Sequence, residues 1–201
     1  MDFNIEKGDQ KRIVIVGGGF GGLELAKNLR KTGMQIVLID KHNYHQFQPL
    51  IYQVASAGME PSSISFPYRR IFQKYKNLYF RLAEVKQIDV KNKKVITSIG
   101  DVSYDYVVLA AGATSNFFGN KEIERGSMAM KSLSEAARIR NTVLANIERA
   151  ITTEDPVFRQ ELLNIVVVGG GATGVELAGV MSEMKKNILP RDYPELDASL
   201  M

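Results

Sequence analysis

The stretch Arg12-Ile13-Val14-Ile15-Val16-Gly17-Gly18-Gly19-Phe20-Gly21-Gly22 passes from a strand-forming run directly into a glycine-rich turn. Leu23, Leu25, Ala26 and Leu29 then follow at helical spacing. Strand, tight turn and helix are predicted in that order. Gly33 ends the helix, and Gln35-Ile36-Val37-Leu38-Ile39-Asp40 reads as a second buried strand tipped by an acid, which completes a parallel βαβ unit. Each part has a task. Gly17 allows the turn, Gly19 lets the backbone approach a pyrophosphate, and Gly22 lets helix and strand pack closely. The N–H groups and partial positive charge of the helix start favour an anion, and Asp40 is placed to accept hydrogen bonds from an adenosine ribose. Glycine triplet, βαβ pattern and acid together mark a dinucleotide site.

The pattern occurs twice. Gly169-Gly170-Gly171-Ala172-Thr173-Gly174 repeats it after a strand predicted at 164–168, and a helix is predicted from about Thr173 to Ile188, broken by Pro190 and Pro194. Glu195 and Asp197 are not preceded by an apolar strand, so this second unit reads as half complete and the chain as the N-terminal piece of a longer protein.

Between the two fingerprints, the irregular stretch 41–67, rich in His, Asn, Gln, Ser, Gly and Pro, is long for an idle loop and is expected to line a ligand. Segments 78–81, 84–90, 93–99 and 102–104 suggest a small antiparallel meander. A buried strand at 106–110 then ends in Ala111-Gly112-Ala113-Thr114, small residues that permit close approach to a ligand. Ser132 with Glu135 forms a capping box opening a helix to about Ala150.

Composition narrows the function classes. The 201 residues carry a net charge of +4. Their cations are dispersed, so no nucleic-acid partner is expected. Only Tyr68–Lys76 interleaves basic and aromatic residues densely, as a candidate surface patch. No apolar run reaches the roughly 18 residues of a membrane span and the N-terminus lacks an apolar signal core, so a cytoplasmic location is expected. The absence of cysteine removes disulfides, thiolate metal sites and redox-active thiol pairs, and no metal site is assigned.

Four segments, Ile13–Gly22, Asn43–Ala55, Tyr104–Thr114 and Val166–Gly179, resemble the flavoprotein disulfide reductase superfamily, in the branch of type II NADH:quinone oxidoreductases. Asn43-Tyr44-His45-Gln46-Phe47-Gln48-Pro49-Leu50-Ile51-Tyr52-Gln53-Val54-Ala55 is the stretch most particular to that branch. The implied fold is α/β: a Rossmann-like FAD-binding unit, with a parallel sheet and a small antiparallel meander, followed by the start of a Rossmann-like NAD-binding unit. The implied domains are an FAD-binding domain over 1–118, a helical connection over 119–163 and a truncated NAD(H)-binding domain over 164–201.

The resemblance implies FAD held by Gly17, Gly19, Phe20, Gly21, Gly22, Asp40, Lys41, Gln48, Val85, Ala111, Gly112 and Thr114. It implies NADH held by Gly169, Gly171, Thr173 and Gly174. NADH would reduce the flavin, and the flavin would pass two electrons to a membrane quinone without proton pumping. The full-length protein would sit peripherally on the inner face of the cell membrane through a C-terminal region, with a homodimer as one assembly open to it.

Glu176 has two readings. It matches a family glutamate near flavin and quinone, which makes it the catalytic candidate, and it is also the kind of acid that a helix start favours. His45 likewise is either a proton source for quinone or a hydrogen-bonded loop histidine, and the second reading is preferred. Disulfide reductases and sulfide:quinone oxidoreductases depend on cysteines that this sequence lacks. A ferredoxin-reductase-like or apoptosis-inducing-factor-like enzyme is the enzymatic alternative, and a non-catalytic nucleotide-binding fragment is the alternative of another class.

Overall fold

Ile13, Val14, Ile15 and Val16 are all buried, which a strand allows only when both faces of its sheet are covered. The computed structural model, which describes residues 3–201, shows how. In chain order the elements are β1 (Arg12–Val16), α1 (Phe20–Asn28), β2 (Gln35–Asp40), β3 (Tyr44–Gln46), α2 (Ile51–Ala55), β4 (Ser65–Pro67), α3 (Tyr68–Ile71) and β5 (Leu78–Leu82). There follow β6 (Val85–Asp89), β7 (Lys94–Thr97), β8 (Gly100–Ser103), β9 (Tyr106–Leu109), α4 (Lys121–Gly126), α5 (Leu133–Thr152), α6 (Pro156–Leu163), α7 (Ala172–Glu183) and α8 (Leu189–Asp192). The chain is an α/β protein and divides into two units, Met1–Gln46 with Ser65–Ala113, and Phe47–Ile64 with Thr114–Met201.

In the first unit four strands lie parallel in the order β5-β2-β1-β9. Alternation along β1 and β2 divides their side chains between two cores. Ile13, Ile15, Ile36 and Leu38 pack with Leu23 and Ala26 of α1 and with Tyr68, Phe72 and Phe80. Val14, Val16, Val37 and Ile39 face the other way, against Val95 and Val102 of the antiparallel sheet β6-β7-β8, with Phe3, Ile5 and Tyr104. The expected four-piece meander is thus corrected to three. Leu78–Leu82 pairs in parallel with β2, because its alternate residues match a core already lined by that strand. The burial of Phe3 and Ile5 in an N-terminal arm has no signal in the sequence pattern.

Polar anchors fix the entry to β1. The guanidinium of Arg12, 2% exposed, donates to the side chain of Gln35 on β2, to the carbonyl of Ile5 at 2.8 Å and to Ser103 Oγ at 3.3 Å. Asp105 accepts the backbone N–H of Arg12 at 2.8 Å and pairs with Lys7 at 3.0 Å and Lys11 at 3.2 Å. The Arg12 N–H, then Lys7 and then Lys11, hold its carboxyl well below the usual carboxylate range. A carboxyl depressed in the fold stabilises fully above its unfolded value, about 4, and that contribution is lost as pH falls toward the folded value. Asp105→Asn therefore lowers the urea midpoint at pH 7, and the gap from wild type closes as pH is taken below about 4.

The second unit is helical. Ser132 accepts the N–H of Glu135, and the Glu135 carboxylate accepts that of Ser132 at 2.8 Å, so the expected capping box forms and α5 runs on to Thr152. Leu133, Ala136, Ile139, Val143, Ile147 and Ala150 make its buried stripe. The strand expected at 164–168 does not form. Every strand of the described residues lies in the first unit, so Val166 and Val168 have no strand of their own unit to pair with, and they stand exposed at 84% and 69%.

Candidate functional site

The first glycine turn is shaped by its backbone needs. Gly17 has φ +98°, in the region that favours glycine, and a Cβ there would meet the carbonyl of Ala110 at less than 3.0 Å. Its N–H donates to Ile39 of β2 at 2.8 Å, while the N–H of Ala110 donates to Val16 at 2.8 Å. The turn therefore sits in a notch between the ends of β2 and β9. A Cβ on Gly22 would run into the carbonyl of Gly17 and touch Ile15 at 3.3 Å, so only glycine lets α1 start this close to β1. Gly19 and Gly21 differ: a Cβ on either meets nothing within 4 Å, which leaves an open cradle over the turn.

The start of α1 has Gly19 as its cap residue, receives no side-chain cap and carries no acid in its first turn. Such a terminus suits a phosphate. Asp40 ends β2 beside it. Its Oδ2 accepts the N–H of Gly18 at 2.6 Å and its Oδ1 that of His42 at 2.8 Å, so the carboxylate is held in one orientation. Helix terminus, open glycines and a fixed acid one strand away suit a dinucleotide pyrophosphate and its ribose.

Two further side chains belong to this place. Tyr68, 1% exposed, donates its hydroxyl to the carbonyl of Gly18 at 2.6 Å and lies 3.4 Å from Asp40 Oδ2. Burial, and then the Asp40 charge, push its phenol above its ordinary value, so it stays a neutral donor. His45, also buried, brings Nδ1 to 3.1 Å from the same carbonyl and meets Phe20 edge to face at 5.2 Å. His45 is the hydrogen-bonded histidine of the preferred reading. Tyr68 was expected in a surface patch, and its burial corrects that: Pro67 turns the chain so that the ring enters the core between Phe72 and Phe80.

Of the other expected residues in this unit, Lys41 is exposed next to Asp40, Val85 is partly buried against the core shared with the antiparallel sheet, and Ala111 and Gly112 are exposed beyond β9, Gly112 with φ +71°. Gln48 and Thr114 fall in the second unit, where Gln48 reaches the carbonyl of Lys131 at 3.4 Å.

The second fingerprint reproduces the first. Gly169 has φ +109°, a Cβ on Gly174 would run into the carbonyl of Gly169, and Gly171 lies open at the uncapped start of α7. Thr173 is exposed in the first turn. The turn keeps this geometry without a paired strand behind it. Glu176 is the fifth residue of α7 and exposed, one position beyond the helix's first turn.

The family model described as pyridine nucleotide-disulphide oxidoreductase matches residues 11–192. A type II NADH:quinone oxidoreductase of Mycobacterium tuberculosis is 36% identical over 192 residues, covering 94% of this chain and 42% of that protein. An external alternative NAD(P)H-ubiquinone oxidoreductase of Arabidopsis thaliana mitochondria is 34% identical over 203 residues, covering 95% of this chain and 35% of its own. The chain thus spans less than half the length of these relatives. The structure of NDH2 from Plasmodium falciparum in complex with NADH superimposes with a TM-score of 0.88 over 96% of this chain and 40% of that one, at 22% identity, a likeness of fold.

Proposed function

The chain belongs to the pyridine nucleotide-disulphide oxidoreductase family, and from that premise we propose that it serves an FAD-dependent enzyme carrying electrons from NADH to a membrane quinone without pumping protons. The observation that carries this is the pair of glycine turns with one geometry, Gly17 with Gly22 and Gly169 with Gly174, in a sequence similar to NADH:quinone oxidoreductases.

In this reading the turn at Gly17, Gly19, Phe20, Gly21 and Gly22 takes the FAD pyrophosphate and Asp40 its ribose. Lys41, Val85, Ala111 and Gly112 border the same cofactor, and Gln48 and Thr114 are assigned to it through the family resemblance alone. Gly169, Gly171, Thr173 and Gly174 take NADH in a domain beginning at residue 164, after an FAD domain ending near 118. A flavin supplies two-electron acceptance from NADH and release to quinone. The protein's part is to hold both nucleotides and, at Glu176, to orient the nicotinamide side or pass a proton toward reduced quinone. Among the described residues no helix is long and apolar enough to cross a membrane. Attachment to the inner membrane face, and a homodimer, belong to this proposal through the family resemblance alone.

The test is an anaerobic absorbance titration of the purified protein. The expected result is a yellow protein that NADH bleaches and a soluble quinone restores stoichiometrically. Bleaching by NADH with restoration by oxidised ferredoxin and not by quinone would move the assignment to a ferredoxin reductase. A protein that takes up no flavin would leave a nucleotide-binding module.

A further inference from the structure

We propose that Tyr68 is a positioning residue for the dinucleotide: its buried hydroxyl, with His45, clamps the Gly18 carbonyl so that the next peptide N–H is presented to a phosphate. This rests on the reading of the first fingerprint as the FAD site and deepens it. Two donors converge on one oxygen, Tyr68 Oη at 2.6 Å and His45 Nδ1 at 3.1 Å. The peptide before it is fixed as well, since Gly18 N–H donates to Asp40 at 2.6 Å. Three side chains, from β2, β3 and α3, therefore hold two successive peptide planes of the turn.

The consequence follows from peptide planarity. In a trans peptide the C=O and N–H point in opposite directions, and the described residues contain no cis bond. With the Gly18 carbonyl drawn inward to Tyr68 and His45, the N–H of Gly19 faces outward. Outward is the open cradle, because a Cβ on Gly19 meets nothing within 4 Å. Gly18 is needed for the clamp itself, since a Cβ there would run into the Tyr68 hydroxyl. Without these donors the peptide is free to rotate and turn its carbonyl, a repelling dipole, toward the phosphate.

Tyr68→Phe removes one oxygen and keeps the ring among Phe72 and Phe80. In FAD titrations of the purified apoprotein it raises the dissociation constant about tenfold, the worth of one oriented hydrogen bond. The 31P resonances of bound FAD shift, while the circular dichroism spectrum of the apoprotein stays at its wild-type form and its thermal midpoint falls by no more than a few degrees, the cost of one buried hydrogen bond. His45→Phe, which removes the second donor to the same oxygen, shifts the same resonances and carries the test should Tyr68→Phe fold poorly. FAD affinity within twofold of wild type in both variants overturns the clamp. So does a weakening that tracks a lowered thermal midpoint with the 31P spectrum unmoved, since that is a purely structural effect. A wild-type protein that binds no FAD in the same titration fails the site assignment itself, and the clamp with it.

Discussion

Gly22→Ala is expected to yield a colourless protein that unfolds at markedly lower urea than wild type. The added methyl would overlap the carbonyl oxygen of Gly17 and press on Ile15 at 3.3 Å, and neither neighbour can yield cheaply. The Gly17 peptide is hydrogen-bonded to Ile39 and lies against Ala110, while Ile15 is wholly buried in the core between sheet and α1. Overpacking at such a site costs about 3 kcal/mol, and the start of α1 moves away from the turn. The control is Gly19→Val. Its side chain enters open space, so stability stays within about 0.5 kcal/mol of wild type. FAD affinity nevertheless falls by about two orders of magnitude, roughly 2.7 kcal/mol, because the branched side chain fills the cradle. Urea denaturation and flavin absorbance of the two variants separate the outcomes. A stable, yellow Gly22→Ala protein would show that the turn is not as tightly enclosed as drawn, and a yellow Gly19→Val protein would remove the pyrophosphate from this turn.

The parts of this site that were legible in the sequence are those in which a local rule and the tertiary arrangement agree. Gly17 and Gly22 must be glycine for backbone reasons alone, and Asp40 follows from the length of one βαβ unit. The Ser132–Glu135 cap is equally local. Tyr68 was not legible, because a Tyr-Arg-Arg segment after proline has the same pattern whether its ring lies outside or enters the core. What decides is the space beneath Gly18, formed by residues 28 and 50 positions away in sequence, as the contacts of Tyr68 with Asp40 and Gly18 record. The strand at Leu78–Leu82 fails for a related reason: periodicity identifies a strand but does not name its neighbour. Ile165 to Val168 show the converse. Their β-branched run predicts a strand, yet a strand needs an edge to pair with, and the second unit offers none among the described residues.

That unpaired run shapes the effect expected for Gly174→Ala. The clash repeats that of Gly22, since a methyl would overlap the Gly169 carbonyl, but the surroundings differ. Val166 and Val168 are mostly exposed, and a Cβ on Gly169, Gly170 or Gly171 meets nothing within 4 Å, so this turn can open without disturbing a packed sheet. The stability cost is accordingly smaller, about 1 kcal/mol. The nucleotide effect is not smaller, because the N–H groups at the start of α7 are aimed only while the turn holds its shape. Gly174→Ala is expected to retain FAD at wild-type stoichiometry and to bleach normally with dithionite, while NADH binds about two orders of magnitude more weakly and bleaches the flavin correspondingly slowly at low concentration. Loss of flavin from this variant, with NADH affinity intact, would reverse the assignment of the two fingerprints. Wild-type bleaching at subsaturating NADH would show that the second turn does not hold the nicotinamide nucleotide. Because Gly22→Ala and Gly174→Ala introduce the same methyl into the same turn geometry, the difference between their spectra reports which nucleotide each turn serves.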